Sequence, residues 1–348
     1  MIRRLTALAA AFIIMTWAVT AAASGAAGAA EKAADKADCP ACPKNTYRLA
    51  VVTKPGAAQT VLAEKFASLV SQASGGRTLI YVYHSGAKGD ESQILELLRK
   101  GDLHLAVLTA GVFDSLAPET RVVEYPFLFH SHAQADKVLQ GAPGQEVLAS
   151  LRETGLKGMA FGENGFRHLT NNLRPVRQAA DLKGLRVRVM ESALQRELWQ
   201  RLGAVSVPHP WPIEDLLSGG GADGQENPLW VIWLYRFDKL QKYLTLTGHV
   251  YSAHICAANL AWYEGLPPAE REMLERAMIE AAAYQRELNR RNESQGLSRL
   301  KEAGMRVVEH PDLASFKQKT KGLAESPLFA QPKLKELLEL FRRELAKP

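Results

Sequence analysis

After about residue 46, apolar and polar positions alternate with two periods. Residues 47–53 (YRLAVVT), 78–84 (TLIYVYH) and 103–108 are compact apolar runs of strand length. Between them, Val61, Leu62, Phe66, Leu69 and Val70 recur at helical spacing over residues 60–73, and Ile94, Leu97 and Leu98 share one face over residues 91–100. Gly75-Gly76 suits the end of the first helix, and Asp90 suits the cap that opens the second. This β-α-β-α-β order predicts a mostly parallel sheet with helices on its faces. A second α/β series follows: short strands at 156–162 and 167–170, a clear strand at 185–190 (LRVRVM), and a helix over 193–202 ended by Gly203. Residues 267–303 then read as helix, opened by Pro267-Pro268 and stopped by Gly304. At roughly 54 Å it is either one brace reaching across two lobes or a kinked pair of shorter helices.

The N-terminus departs from this pattern. Arg3 and Arg4 precede an apolar stretch from Leu5 to Thr20, and Ala21-Ala22-Ala23 or Ala27-Gly28-Ala29 offers a small-residue cleavage site. This predicts a secretory signal peptide over 1–23, with an uncleaved anchor as the alternative. Residues 24–46, rich in Ala, Lys and Asp, read as a linker. The linker holds Cys39-Pro-Ala-Cys42, read as a local disulfide in an oxidising compartment or, less readily, as a lipid anchor on Cys39. Cys256, inside an apolar run, reads as a buried thiol. The formal charge is +6 over 348 residues, and removing the leader takes two positives away. The basic residues are scattered among acids, so no nucleic-acid partner is expected.

No nucleophile elbow and no phosphate-binding G-x-x-x-x-G-K motif is present. Gly219 to Gly224 is glycine-rich but reads as a flexible turn. The pairs His130/His132 and His249/His254 lack metal-ligand spacing and a nearby carboxylate cluster. No catalytic residue, metal or cofactor is therefore expected. Two arginines stand out instead. Arg167 lies on a turn, where groups at the ends of parallel strands face a crevice. Arg188 alternates with Val187 and Val189 on an apolar strand, on the same face as Arg186, which is nearer the strand start. Pattern alone leaves a surface salt bridge open for either residue of that strand.

Several segments together resemble the DctP-type substrate-binding proteins of tripartite ATP-independent periplasmic (TRAP) transporters, from about Tyr47 to Phe316. They are Gly89-Asp90-Glu91 with Leu95 to Leu103, Tyr125-Pro126-Phe127-Leu128-Phe129, Asp181 to Arg188 (DLKGLRVR), Leu202-Gly203-Ala204, and Asp223 to Pro228 (DGQENP). The resemblance implies an α/β, two-lobed clamshell like other periplasmic binding proteins, with a long helix touching both lobes. The first lobe would comprise 47–164 and 253–292, the second 165–252 and 293–340. It implies a periplasmic monomer that captures a small carboxylate and delivers it to TRAP permease subunits, or a sensor subunit that presents it to a receptor kinase. A secreted enzyme is the remaining alternative. Arg188 would pair the ligand carboxylate in two parallel hydrogen bonds, with Arg167 and Asn227 beside it. Trp211 would stand next to that site, with His209 either adjusting pocket polarity or covering a strand end. Thr53, Lys54, Gln59, Thr109 and Ala110 would form the variable wall. The segment from Ile213 to Gly224 is about one residue shorter than the family pattern and lacks its tyrosine.

Overall fold

The computed structural model describes residues 43–347. The signal peptide, the linker cysteines and the cleavage site lie outside the described residues. Eleven strands form two sheets, each with helices packed on it. The first sheet takes β1 (Asn45–Ala50), β2 (Thr78–Tyr83), β3 (Leu105–Thr109), β4 (Leu156–Phe166) and β10 (Tyr251–Asn259), in the order β2-β1-β3-β10-β4. The second takes β5 (His168–Asn171), β6 (Arg186–Val189), β7 (Val205–Pro208), β8 (Gly224–Asn227), β9 (Tyr243–Thr245) and β11 (Arg306–Val308), in the order β11-β9-β5-β8-β6-β7.

The first three strands pair in parallel, as the β-α-β-α-β pattern predicts. The sheet as a whole is mixed, because β10 runs antiparallel to both β3 and β4. This strand was legible only as an apolar run, and its direction follows from its return out of the second sheet. Helix Glu91–Lys100 begins and ends as the sequence predicts. Asp90 accepts from Gln93 N–H, the Gln93 side chain accepts from Asp90 N–H, and Gly101 closes the helix at φ 85°. The predicted strands at 156–162 and 167–170 are β4 and β5, which almost meet. Gly165, at φ 120°, turns the chain between them beside Pro228, a conformation that a side chain would strain.

The long helix is one unbroken element, Pro268–Glu302, so the kinked-pair alternative falls away. It packs against helix Ala58–Ala73 and β4 at one end and helix Leu229–Leu234 further along. Leu274, Met278 and Ala281 enter the core over the first sheet, and Leu300 enters the core of the second. Helix Pro332–Ala346 differs from the expected boundaries, which assign 293–340 to the second lobe. Its Leu334, Leu337, Leu338 and Phe341 pack among Phe113, Val122 and Phe129 of the first. This C-terminal helix crosses back because its strongly apolar face fits the surface left open beside helices His132–Leu139 and Ala142–Ser150.

Candidate functional site

β8 reads Gly-Gln-Glu-Asn, yet every residue of it is buried near the middle of the second sheet. Buried polar groups are costly unless paired, and here each finds a partner. Gln225 donates to Thr170 Oγ1 (2.8 Å) and accepts from Asn227 Nδ2 (2.6 Å). Glu226 receives Arg167, whose Nε and Nη2 form a two-pronged pair with the carboxylate; Nη2 also reaches the Glu226 carbonyl oxygen (2.6 Å). His249 Nε2 lies 3.2 Å from the same carboxylate, and its Nδ1 meets Thr247 Oγ1 at 2.8 Å. A neutral His249 satisfies both contacts by donating from Nε2 and accepting at Nδ1. Burial would raise the Glu226 pKa, but Arg167 and His249 hold it down at about 2. Arg167, only 1% exposed, is thus fixed in place at the crossing between the sheets.

Arg188 is set differently. Val187 and Val189 fill the second lobe's core, so alternation turns Arg188 the other way, where it is 3% exposed. Its Nε and Nη2 donate to the carbonyl oxygen of His209. No carboxylate pairs it directly. Burial lowers its pKa to about 10, with Glu226 offsetting and Arg167 adding to the effect. A guanidinium has five N–H donors. Arg188 therefore keeps its Nη1 end and one Nη2 proton free, and Arg167 keeps Nη1. Arg186 takes another route: it is exposed and pairs with Asp223.

Both arginines line one cavity between the sheets, of about 450 Å³ counting its opening. Asn227 and Trp211 join them from the second lobe, and Thr53, Gln59 and Thr109 face them from the first. Seven of the ten sequence-predicted residues therefore meet around one space. Lys54 and His209 line an adjoining cleft that shares Val52, Trp211 and Tyr235. Lys54 Nζ donates to Leu234 O (2.9 Å) and sits 4.4 Å from the Tyr235 ring centroid. His209 takes part near the cavity through its backbone carbonyl. Ala110 is fully buried in the first lobe's core and does not reach the cavity wall.

Sequence reasoning missed several wall residues. Glu91 opens helix Glu91–Lys100, and its Oε1 accepts from Gln59 Nε2 (2.7 Å), Thr109 N (2.8 Å) and Thr109 Oγ1 (3.0 Å). Burial raises its pKa in spite of these donors. His254 stands opposite Thr109 in the β3–β10 register. It is 2% exposed, and neither ring nitrogen has a hydrogen-bond partner. A histidine within a buried strand of small residues was the available signal, although the sequence suggested it only as half of a metal pair. Among the described residues no group of three metal-ligating side chains occurs. Tyr235 stacks edge-on against Trp211 (4.6 Å between centroids), and Trp230 Nε1 donates to Asn164 O (2.6 Å); both close the apolar side.

The profile of family 7 of the bacterial extracellular solute-binding proteins (DctP) matches residues 49–328. A solute-binding protein of Verminephrobacter eiseniae is 36% identical over 281 residues, covering 79% of this chain and 83% of that protein. The 2,3-diketo-L-gulonate-binding periplasmic protein of Escherichia coli is 32% identical, covering 77% and 82%. Among solved structures, a TRAP periplasmic solute-binding protein from Polaromonas, bound to D-erythronate, superposes with a TM-score of 0.80. It is 33% identical, over 86% of this chain and 98% of that one.

Proposed function

Because the chain belongs to family 7 of the bacterial extracellular solute-binding proteins, we propose that it captures a small organic acid in the periplasm and delivers it to the membrane subunits of a TRAP transporter. It performs no chemistry on the molecule it carries. The observation that supports this reading is the free end of Arg188, a charged group almost wholly removed from water with no carboxylate of its own. A planar guanidinium matches a carboxylate in two parallel hydrogen bonds. A ligand carboxylate therefore supplies the counter-charge that the folded protein leaves out. Arg167 and Asn227 complete the recess: Arg167 is held ready by Glu226, and Asn227 by Gln225.

The first-lobe wall of Thr53, Gln59 and Thr109 then meets the rest of the ligand, and Trp211 covers its apolar side. Because the walls come from both sheets, a bound acid bridges them and favours the closed arrangement over an open one. A ligand that binds only the folded, closed protein raises its melting temperature by mass action. A thermal-shift screen of organic acids, amino acids and neutral sugars is expected to give hits concentrated among the carboxylates. Shifts from neutral sugars alone would overturn the proposal.

A further inference from the structure

The cavity has two unlike ends. At one, Arg167 and Arg188 face Glu226, which is committed as a carboxylate to Arg167. Two guanidinium charges against one carboxylate leave at most one positive charge for a ligand. At the other end stands a third carboxyl group, Glu91, anchored through Oε1 by Gln59 and Thr109, with no printed cation beside it. Lys54, the nearest lysine of the adjoining cleft, is already tied to Leu234 O and Tyr235. Between the two ends lies His254, buried on β10 with both ring nitrogens unpartnered.

We infer that the pocket selects a singly charged acid bearing hydroxyl groups: its carboxylate lies on Arg188 and Arg167, a hydroxyl pairs with His254, and Glu91 turns away a second carboxylate. This inference rests on the carboxylate-binding reading above and deepens it. A neutral imidazole offers one N–H and one lone pair, and a hydroxyl both accepts and donates, so the two satisfy each other. Burial, with Arg167 adding to it, pushes the His254 pKa down to about 3, so the ring stays uncharged and cannot serve as a second anion site. A buried polar group left without a partner rejects an analogue that lacks the matching hydroxyl. A dicarboxylate of the same length would carry one negative charge more than the arginines can balance, and would set it against Glu91. An unsubstituted monoacid would satisfy the arginines but leave His254 unpaired.

The test is calorimetry on the secreted protein with four four-carbon probes: erythronate, butyrate, succinate and the neutral polyol erythritol. Erythronate is expected to bind at least about tenfold more tightly than butyrate or succinate. His254→Phe is expected to weaken erythronate by about tenfold or more while leaving butyrate within about twofold. His254→Asn, which keeps a donor and an acceptor, should retain part of the preference. Glu91→Gln is expected to narrow the gap between erythronate and succinate by about tenfold. Succinate or butyrate binding the parent protein as tightly as erythronate would overturn the inference and leave the carboxylate reading standing. Erythritol binding in place of every acid would overturn both. An equal loss of erythronate and butyrate in a folded His254→Phe protein would show that His254 shapes the cavity without reading a hydroxyl.

Discussion

Arg188 concentrates the account at the scale of single residues. Its two bonds to the His209 carbonyl set the plane of the guanidinium and leave the opposite edge for a ligand. Removing one partner of a buried charge pair costs about 2–5 kcal/mol, roughly 30-fold to several-thousand-fold in affinity. Arg188→Ala is expected to lose that much in a calorimetric titration with the tightest acid. Arg188→Lys should also bind weakly, since an ammonium cannot make the two-pronged contact. Arg186→Ala removes an exposed ion pair with Asp223 and should change affinity little. The two arginines lie two residues apart on one strand, and the alternation in LRVRVM gave them the same face. The structure separates them by depth, which alternation does not encode. Arg167 and Asn227 were legible through the DGQENP segment and the turn before it. Glu91 was not, because an acid just after a helix cap is ordinary on a solvated helix end; only the tertiary approach of Gln59 and Thr109 buries it.

At the scale of elements, the long helix Pro268–Glu302 joins the lobes by reading backbone as well as by packing. Gln285 accepts from Glu163 N–H and donates to Glu163 O, both at 2.8 Å, as a neighbouring strand would. β4 is an edge strand of its sheet, and a register shift against β10 lies near this point. The amide side chain therefore satisfies groups that no strand reaches. Gln285→Ala would leave them buried and unpaired, at about 1–3 kcal/mol. Urea unfolding should show that loss in its midpoint with little change of slope. The helix itself was legible from its proline start and glycine stop. β7, β8 and β9 were harder to read, being three or four residues long and, in β8, wholly polar. Such strands lack the apolar alternation that marks a strand, because their side chains serve the site and one another rather than a hydrophobic core.

Over the whole molecule, buried acids make stability depend on pH in two opposed ways. Burial raises Glu124 from 4.5 to about 7, and it does the same to Glu293. Each binds a proton more readily folded than unfolded. The stability they lend is complete below about pH 4.5 and is lost as the pH rises through about 7, by up to about 3 kcal/mol apiece. Glu163 and Glu226 act in the opposite sense. Burial would raise both, but His132 and Arg290 bring Glu163 down to about 2, and Arg167 and His249 do so for Glu226. Their contribution is present above 4.5 and is lost as the pH falls toward 2. The melting temperature of the ligand-free protein is therefore expected to peak near pH 5 and decline toward pH 8. Glu124→Gln should flatten the upper limb; a parent protein most stable at pH 8 would contradict the assignment.

The central claim, that the carboxylate of the cargo lies on the buried arginines, is tested most directly by a crystal structure of the protein with its tightest-binding acid. The account predicts carboxylate oxygens about 2.7–2.9 Å from the free nitrogens of Arg188 and Arg167, with the remainder of the ligand directed toward Thr109, Glu91 and His254. A ligand held with its carboxylate toward Lys54 in the adjoining cleft, and Arg188 facing only water, would contradict it.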